Sequence, residues 1–394
     1  MANNRIFYAS KRAGIAPQGS LSYQTLRGLQ SIGMTTTFNL EQVFEIGQLA
    51  IYENIEGIPD VQLEMEKVLD GYAPLYTLAT QQGVGPGLTG RSTAQCSVAI
   101  SIYPDTNNAA TGSPPEAEVQ MSGLFVNSIS YSVSVDANAT ESLTLVGNDK
   151  VWVGLVAGTN NITYVDDPFI NNDDAPQSIS GSGGVNRRED VLFVYPGGFG
   201  DGRDANGSVS GDGTVLPIEL PGISASGTND KDSGGVYGAH IQSFSASTEL
   251  GREDLFELGR RGNYHRFVNF PTEVTTEIGL ISISGDLISV REEGINTGTG
   301  SCVTGTNLNN QTIRLHMCEG LQLDLGKLNK LSTVGVTGGD SGGGNEEITY
   351  SYSNFNDFTV YHPEDPNRAG TGEEPDLGYL AVFDPLTGTA EAKF

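Results

Sequence analysis

The 394-residue sequence is poor in cysteine, tryptophan, histidine and cationic side chains, and it has no long apolar run. Its three cysteines, Cys96, Cys302 and Cys318, lack the CxxC spacing of zinc or redox sites. Either all three are buried free thiols, or Cys302 and Cys318 close a loop and leave Cys96 free or paired across a subunit interface. His240, His265, His316 and His362 form neither HExxH nor another paired metal-ligand spacing. GxSxG, phosphate-loop and dinucleotide-binding patterns are missing, and the carboxylates are too numerous for spacing to select a glycosidase pair. We therefore expect no enzyme, cofactor or metal. The absence of any apolar stretch near about 20 residues leaves no membrane-spanning helix to expect. The start, MANNRIFYASKRAGIAPQG, lacks the apolar core of a secretory signal.

Lys and Arg total 21 against 48 Asp and Glu, a net charge of −27. The imbalance is 9 against 20 in residues 1–190 and 12 against 28 in residues 191–394, so it is not an acidic tail on a neutral body. A tight phosphate binder needs a basic surface to displace counterions, which this chain does not offer. An acidic wall is nevertheless compatible with DNA passing close by without sticking.

What the chain does contain is 52 glycines, many small polar residues and short alternating segments, which predict an all-β protein with short helices. It also contains one stretch twice. EQVFEIGQLAIYENIEGIPDV at 41–61 and EDLFELGRRGNYHRFVNFPTEV at 253–274 align at an offset of 212. That offset places Phe44 on Phe256, Gly47 on Gly259, Tyr52 on Tyr264 and Pro59 on Pro271. Each copy reads as a short amphipathic helix, at 40–47 with Asn39 as N-cap and at 252–259 with an acidic first turn, closed by Gly47 and Gly259. The expected role is packing rather than catalysis.

The repeat divides the chain into an N-terminal arm at 1–27, a first unit at 28–195, a Gly/Asp-rich linker at 196–235 and a second unit with a tail at 236–394. Strands are expected at 28–38, 58–69, 95–103, 126–135, 141–146, 190–195, 314–325 and 347–353, with two more within 270–290, while residues 236–248 open the second unit. Residues 80–93 read as a Gly-rich loop. In 126–135 Ile129, Tyr131, Val133 and Val135 alternate with serines, the clearest half-buried strand in the chain. Asp201, Asp204 and Asp212 lack the ligand order of a calcium loop, so a solvated linker is expected. Arg260, Arg261 and Arg266 make the one basic cluster, suited to an acidic neighbour.

LGREDLFELGRRGNYHRFVNFPTEVTTEIG, FNLEQVFEIGQLAIYENIEGIPDVQLEMEKVLDGY, ESLTLVGNDKVW and NRREDVLF together resemble tail tube proteins of tailed bacteriophages in their longer, duplicated form. The likeness runs over most of residues 28–290. It implies two tandem β-sandwich or barrel-like tube domains, each with a flanking helix, assembled into stacked rings that form an acidic-lined conduit for DNA ejection. Two copies per chain imply a trimeric pseudo-hexameric ring, with a hexamer as the alternative. Implied partners are the chain itself and other tail proteins: tip or baseplate, tape measure and possibly sheath. DNA would pass without specific binding and no membrane would be engaged. The implied location is the virion, after synthesis in a host cytoplasm. Candidate packing or interface residues are Phe44, Gly47, Tyr52, Pro59, Phe256, Gly259, Tyr264, Pro271, Tyr131, Arg260 and Arg261. The rival readings are a β-rich glycan- or receptor-binding adhesin, against which the single Trp152 counts and for which 15 tyrosines speak, and another tail part such as a terminator or hub.

Overall fold

The structure is a computed structural model that describes residues 6–20, 23–47, 49–103, 115–154, 184–193, 240–259, 262–281, 313–317, 321–326, 328–338, 344–362, 365, 381–384 and 389–392. In chain order the first elements are β1 (Lys11–Pro17), β2 (Gln24–Thr25), β3 (Leu29–Thr37), β4 (Leu40–Phe44), β5 (Ile51–Glu56) and β6 (Asp60–Val68). There follow α1 (Leu75–Ala79), α2 (Leu88–Arg91), β7 (Cys96–Ile102), β8 (Ala117–Ser134), β9 (Thr140–Gly147), β10 (Val151–Gly154) and β11 (Val191–Phe193). Then come β12 (His240–Glu249), β13 (Arg252–Leu255), β14 (His265–Val268), β15 (Glu273–Ile281), β16 (Arg314–Met317) and β17 (Gln322–Asp324). The last in order are β18 (Lys330–Thr337), β19 (Glu347–Phe355), β20 (Thr359–Tyr361) and the ribbon β21 (Ala381–Asp384) and β22 (Thr389–Ala392). The protein is all-β, with two short α-helices among the described residues.

Eight strands form one antiparallel run in the order β3-β6-β9-β8-β12-β15-β19-β18. The first four come from the N-terminal half and the last four from the C-terminal half. The halves use the same pairing scheme: β3 with β6, β6 with β9 and β9 with β8 are matched by β12 with β15, β15 with β19 and β19 with β18. Even the irregularities recur. The bulge at Leu29/Ser31 of β3 reappears at Ile241/Ser243 of β12, and that at Val126/Ser128 of β8 at Leu331/Thr333 of β18. The join is β8 with β12, which sets Tyr131 opposite Ala246 and Val133 opposite Phe244.

Alternation decides which side of this sheet is covered. Val61, Leu63 and Met65 of β6, Tyr131 and Val133 of β8, Phe244 and Ala246 of β12, and Ile348, Tyr350 and Tyr352 of β19 are buried on one face. The back layer consists of the N-terminal part of β8 with β7, β1 and β2, the helices α1 and α2, and a small sheet β11-β16-β17-β20. Leu315, Met317, Leu323 and Val360 of that small sheet belong to the same apolar core as the helices.

Two readings of local structure need correction. The segment expected as an arm contains β1, which lies between β7 and β2 with Ala13, Ile15 and Ala16 buried. Its short apolar run AGIA fits against β7, whose every residue is buried. Residues 40–47 and 252–259, expected as helices, begin two hairpins, β4–β5 and β13–β14. An eight-residue helix has little stability of its own and forms where packing supports one apolar stripe. Here Phe44, Ile46, Phe256 and Leu258 are exposed, so that stripe is not packed, and pairing across the hairpin meets the backbone groups instead. Gly47 and Gly259 serve as turn residues at φ +95° and +86°, not as helix ends. The linker at 196–235 and its aspartates lie outside the described residues.

The real helices were missed because their signal is tertiary. α1 follows Ala73-Pro74, and all five of its residues are buried. Its first free N–H groups are met from across the core: Leu75 and Tyr76 donate to the Glu141 carboxylate at 2.6 and 3.0 Å, and the Tyr131 hydroxyl donates to it at 2.7 Å. Glu141 and Tyr131 sit opposite each other on β9 and β8. Burial raises the Glu141 pKa from 4.5, against the lowering effect of these donors and of Lys67.

Tyr131→Phe removes one donor from a fully buried carboxylate and should cost about 1–3 kcal/mol, read as a lower midpoint in denaturant unfolding. Because the Glu141 pKa is raised in the fold, its stabilising contribution is present below pH 4.5 and is lost as pH rises through the folded value. Relative to a Glu141→Gln variant, the parent should lose stability as pH climbs above that point, and parallel pH profiles would contradict this.

Candidate assembly surfaces

The uncovered face of the eight-stranded run carries almost only hydroxyls, glycines and carboxylates. Ser31, Gly33 and Thr35 on β3 stand opposite Glu66, Glu64 and Gln62 on β6. The rows continue through Ser142 and Thr144, Ser128, Ser130 and Ser132, then Ser243, Ser245 and Ser247, then Thr275 and Glu277, and finally Thr349, Ser351 and Ser353. Neighbouring hydroxyls bond across strands, as Ser247 and Thr275 do at 2.9 Å. Asp60, Glu249, Glu273 and Glu347 complete the acidic complement, and among the described residues Lys330, at the end of β18, is the one cation in these rows. Such a surface holds a polyanion weakly.

The two hairpins expose large apolar side chains. In the first, Phe44 and Tyr52 are more than half exposed; in the second, Phe256 and Tyr264 are equally so. The tips match closely, with Ile46 and its counterpart Leu258 fully exposed, each followed by the positive-φ glycine. Isolated exposed apolar residues need no explanation, but a projecting hairpin covered with them does.

The hairpins differ in how they are held. The second is tied onto the first half of the chain. Arg252 Nε donates to the Val126 carbonyl at 2.6 Å and its Nη2 to the Ser92 carbonyl at 2.9 Å, with the guanidinium 4.8 Å from the centre of the Phe125 ring. Burial brings the Arg252 pKa down to about 10, still cationic at neutral pH. Arg266 bridges Asp254 at 2.7 Å and Asp60 at 2.8 Å. The counterparts of these two arginines in the first hairpin are Leu40 and Asn54, which cannot make these bonds. Every residue of β5 is exposed, and the base of that hairpin is fixed by Asn39, whose Nδ2 donates to the Ile58 carbonyl at 2.9 Å and to Asp60 at 3.1 Å.

The candidate residues read from sequence therefore fall in different places. Phe44, Gly47, Tyr52, Phe256, Gly259 and Tyr264 lie on the two hairpins, and Pro59 and Pro271 follow them, Pro59 accepting from Asn148 Nδ2 at 2.9 Å and Pro271 exposed. Tyr131 is a core residue. Arg260 and Arg261 lie outside the described residues, while Arg266 meets its acidic partners inside the chain. Sequence reasoning missed Ile46, Leu258, Arg252 and Asp60, although the 212-residue offset already aligned the first two. Among the described residues no group of His, Cys, Asp and Glu could hold a metal ion. Cys96 is free and buried, its thiol pushed up to about 12, and Cys302 and Cys318 lie outside the described residues.

No family model matches the sequence, and no curated protein matches it. Among solved structures, a chain of the anti-feeding prophage baseplate is similar at 14% identity and a TM-score of 0.30, covering 39% of this chain and 97% of its own. A chain of the sheath-tube complex of an extracellular contractile injection system matches at 12% identity and 0.29, covering 39% and 94%. A chain of the virion of a native gene transfer agent particle matches at 11% identity and 0.25, covering 36% and 95%.

Ile46 and Leu258 are fully exposed, so the Ile46→Asp/Leu258→Asp double variant should melt within about 0.5 kcal/mol of the parent. If the hairpin tips are contact surfaces between copies, sedimentation velocity should find the variant monomeric at concentrations where the parent associates. Equal association would show the tips to be idle.

Proposed function

We propose that this chain is a structural subunit of a phage-type tail, a tail tube protein whose two tube units, at 28–195 and 236–394, lie side by side in a ring. The observation that carries this reading is the eight-stranded run: one face is packed on a core, the other is exposed, hydroxylated and acidic, and among the described residues neither end strand has a second pairing partner. A sheet with two open ends is a segment of a larger sheet or a risk of uncontrolled pairing. Head-to-tail contact between unlike edges closes into a ring when the rotation permits.

The resemblance implies six tube units per ring, hence three chains. With eight strands each, three chains would close twenty-four strands. At about 4.8 Å between strands the circumference is roughly 115 Å, or about 37 Å across before strand tilt widens it. Barrels of 16 to 18 strands already hold an aqueous channel. The bare face would line this bore, where serine, threonine and glutamate repel or weakly touch a passing duplex, and where the near absence of Lys and Arg leaves no counterion-releasing grip. The exposed apolar hairpins are the surfaces that neighbouring copies and other tail proteins cover, with Phe44, Tyr52, Phe256 and Tyr264 as contacts.

Negative-stain electron microscopy of the purified chain at rising concentration tests the reading. Hollow rings with three lobes each split in two, or tubes stacked from them, are expected. Small solid particles at every concentration, even with tail tips added as seeds, would overturn it.

A further inference from the structure

The chain contains one copy of the joint that a ring of this kind would need. Within the chain, β8, the last strand of the first four, pairs antiparallel with β12, the first strand of the second four. The counterpart of β12 in the first half is β3, and the counterpart of β8 in the second half is β18. These two strands are the open ends: among the described residues β3 pairs with β6 alone and β18 with β19 alone. Chain direction alternates along all eight strands, so β18 and the β3 of a following copy meet antiparallel, as β8 and β12 do.

The register can be transferred residue by residue. Ser247 faces Ser130 and Ala246 faces Tyr131 in the internal joint. Stepping through the matched ladders, Ser247 corresponds to Thr35 and Ala246 to Met34, while Ser130 corresponds to Gly335 and Tyr131 to Val336. We propose that the chain joins a second copy of itself through β18 and β3 in this register, with Thr35 opposite Gly335 and Met34 opposite Val336. The proposal rests on the ring reading and supplies its edge and register.

Burial supports the assignment. Tyr131 and Ala246 are 0% and 1% exposed at the internal joint, whereas Val336 is 51% exposed and Met34 is half-buried, as expected for the same seam lacking its other half. Neither β3 nor β18 carries proline, and Lys330 is the one charged residue on either strand, standing at the end of β18 outside the transferred register. Monomeric proteins normally guard such edges with charge, proline or cover. Gly33 and Gly335 have open space where a side chain would project, so the seam tolerates small residues on the bare face. The same closure would carry the exposed first hairpin onto the neighbour's second half, as the second hairpin already lies on the first half through Arg252 and Arg266.

Cysteine pairing between two single variants tests this. Thr35→Cys and Gly335→Cys proteins are mixed under assembling conditions and mildly oxidised. Directly opposed residues have Cα atoms about 4.5–5.5 Å apart, within disulfide reach, and a slip of two residues takes them out of it. A disulfide-linked dimer joining residues 35 and 335, identified by peptide mass, is expected, at least tenfold above the slipped combinations of Thr35→Cys with Thr333→Cys or Thr337→Cys. The Thr37→Cys and Thr333→Cys pair reports the same register should either first variant fail to fold. Rings that form without either crosslink would overturn this seam and leave the ring reading standing. Absence of any assembly by the parent protein would overturn both.

Discussion

Every larger feature of this molecule depends on the ladder between β8 and β12. Edge-to-edge hydrogen bonding makes two four-stranded units into one sheet with a shared covered face and a shared bare face. Register matters here because a slip of one residue exchanges the faces. With Tyr131 opposite Ala246 and Ser130 opposite Ser247, all core-facing positions of both units lie on one side. The hydroxyl and carboxylate rows then run unbroken across the join. A looser contact between two separate sandwiches would give neither a continuous wall nor a defined pair of open ends.

The two units share their pairing scheme but differ where their surroundings differ. Tyr131 and Glu141, whose hydroxyl and carboxylate bond in the first unit, correspond to Val336 and Ile348 in the second. Arg252 and Arg266 of the second hairpin correspond to Leu40 and Asn54 of the first. The polar devices cluster at the joint made inside the chain, where buried charge is paired or capped by geometry that the fold fixes once. The open ends have apolar and small residues in the same places. A free edge carrying a buried-type arginine or carboxylate without its partner would bind a neighbour only after losing its own hydration, whereas Met34 and Val336 gain by being covered.

Much of the strand pattern was legible in the sequence because the sheet has one wet face. Val61, Leu63 and Met65 against Gln62, Glu64 and Glu66 fix β6, and the serine alternation fixes the second half of β8. The constant offset of 212 was legible too, but what it repeats was not. Phe44-Glu45-Ile46-Gly47 has a helix-like apolar spacing, and nothing local says that those side chains lack a core to pack on. Conversely, Lys11–Pro17 looked like an arm because its flanks are polar, while its AGIA centre is a strand only by virtue of β7. α1 was invisible for the same kind of reason, since the group that caps it, Glu141, is 65 and 66 residues away from the N–H groups it accepts. The proposed seam between β18 and β3 is not written in either strand; it was inferred from β8 and β12 once the ladders were aligned.

If copies join as proposed, a chain whose described residues leave two edges open and two apolar hairpins exposed must still avoid associating too early. Its net charge of −27 opposes the approach of copies at long range. Opposition of this kind falls off within a Debye length, about 8 Å at physiological ionic strength, while backbone pairing and apolar cover act only at contact. The two terms therefore act at different distances, and a copy already held in position feels mainly the second. On the proposed reading, an edge presented by an existing ring or a tail tip would hold a newcomer in register at contact distance, where a free encounter between two acidic monomers seldom brings it. On the proposed reading, the acidic surface that would let a polyanion pass along the bare face would thus also favour growth on a preformed end over spontaneous pairing, so one distribution of charge would serve both the wall and the timing of its assembly.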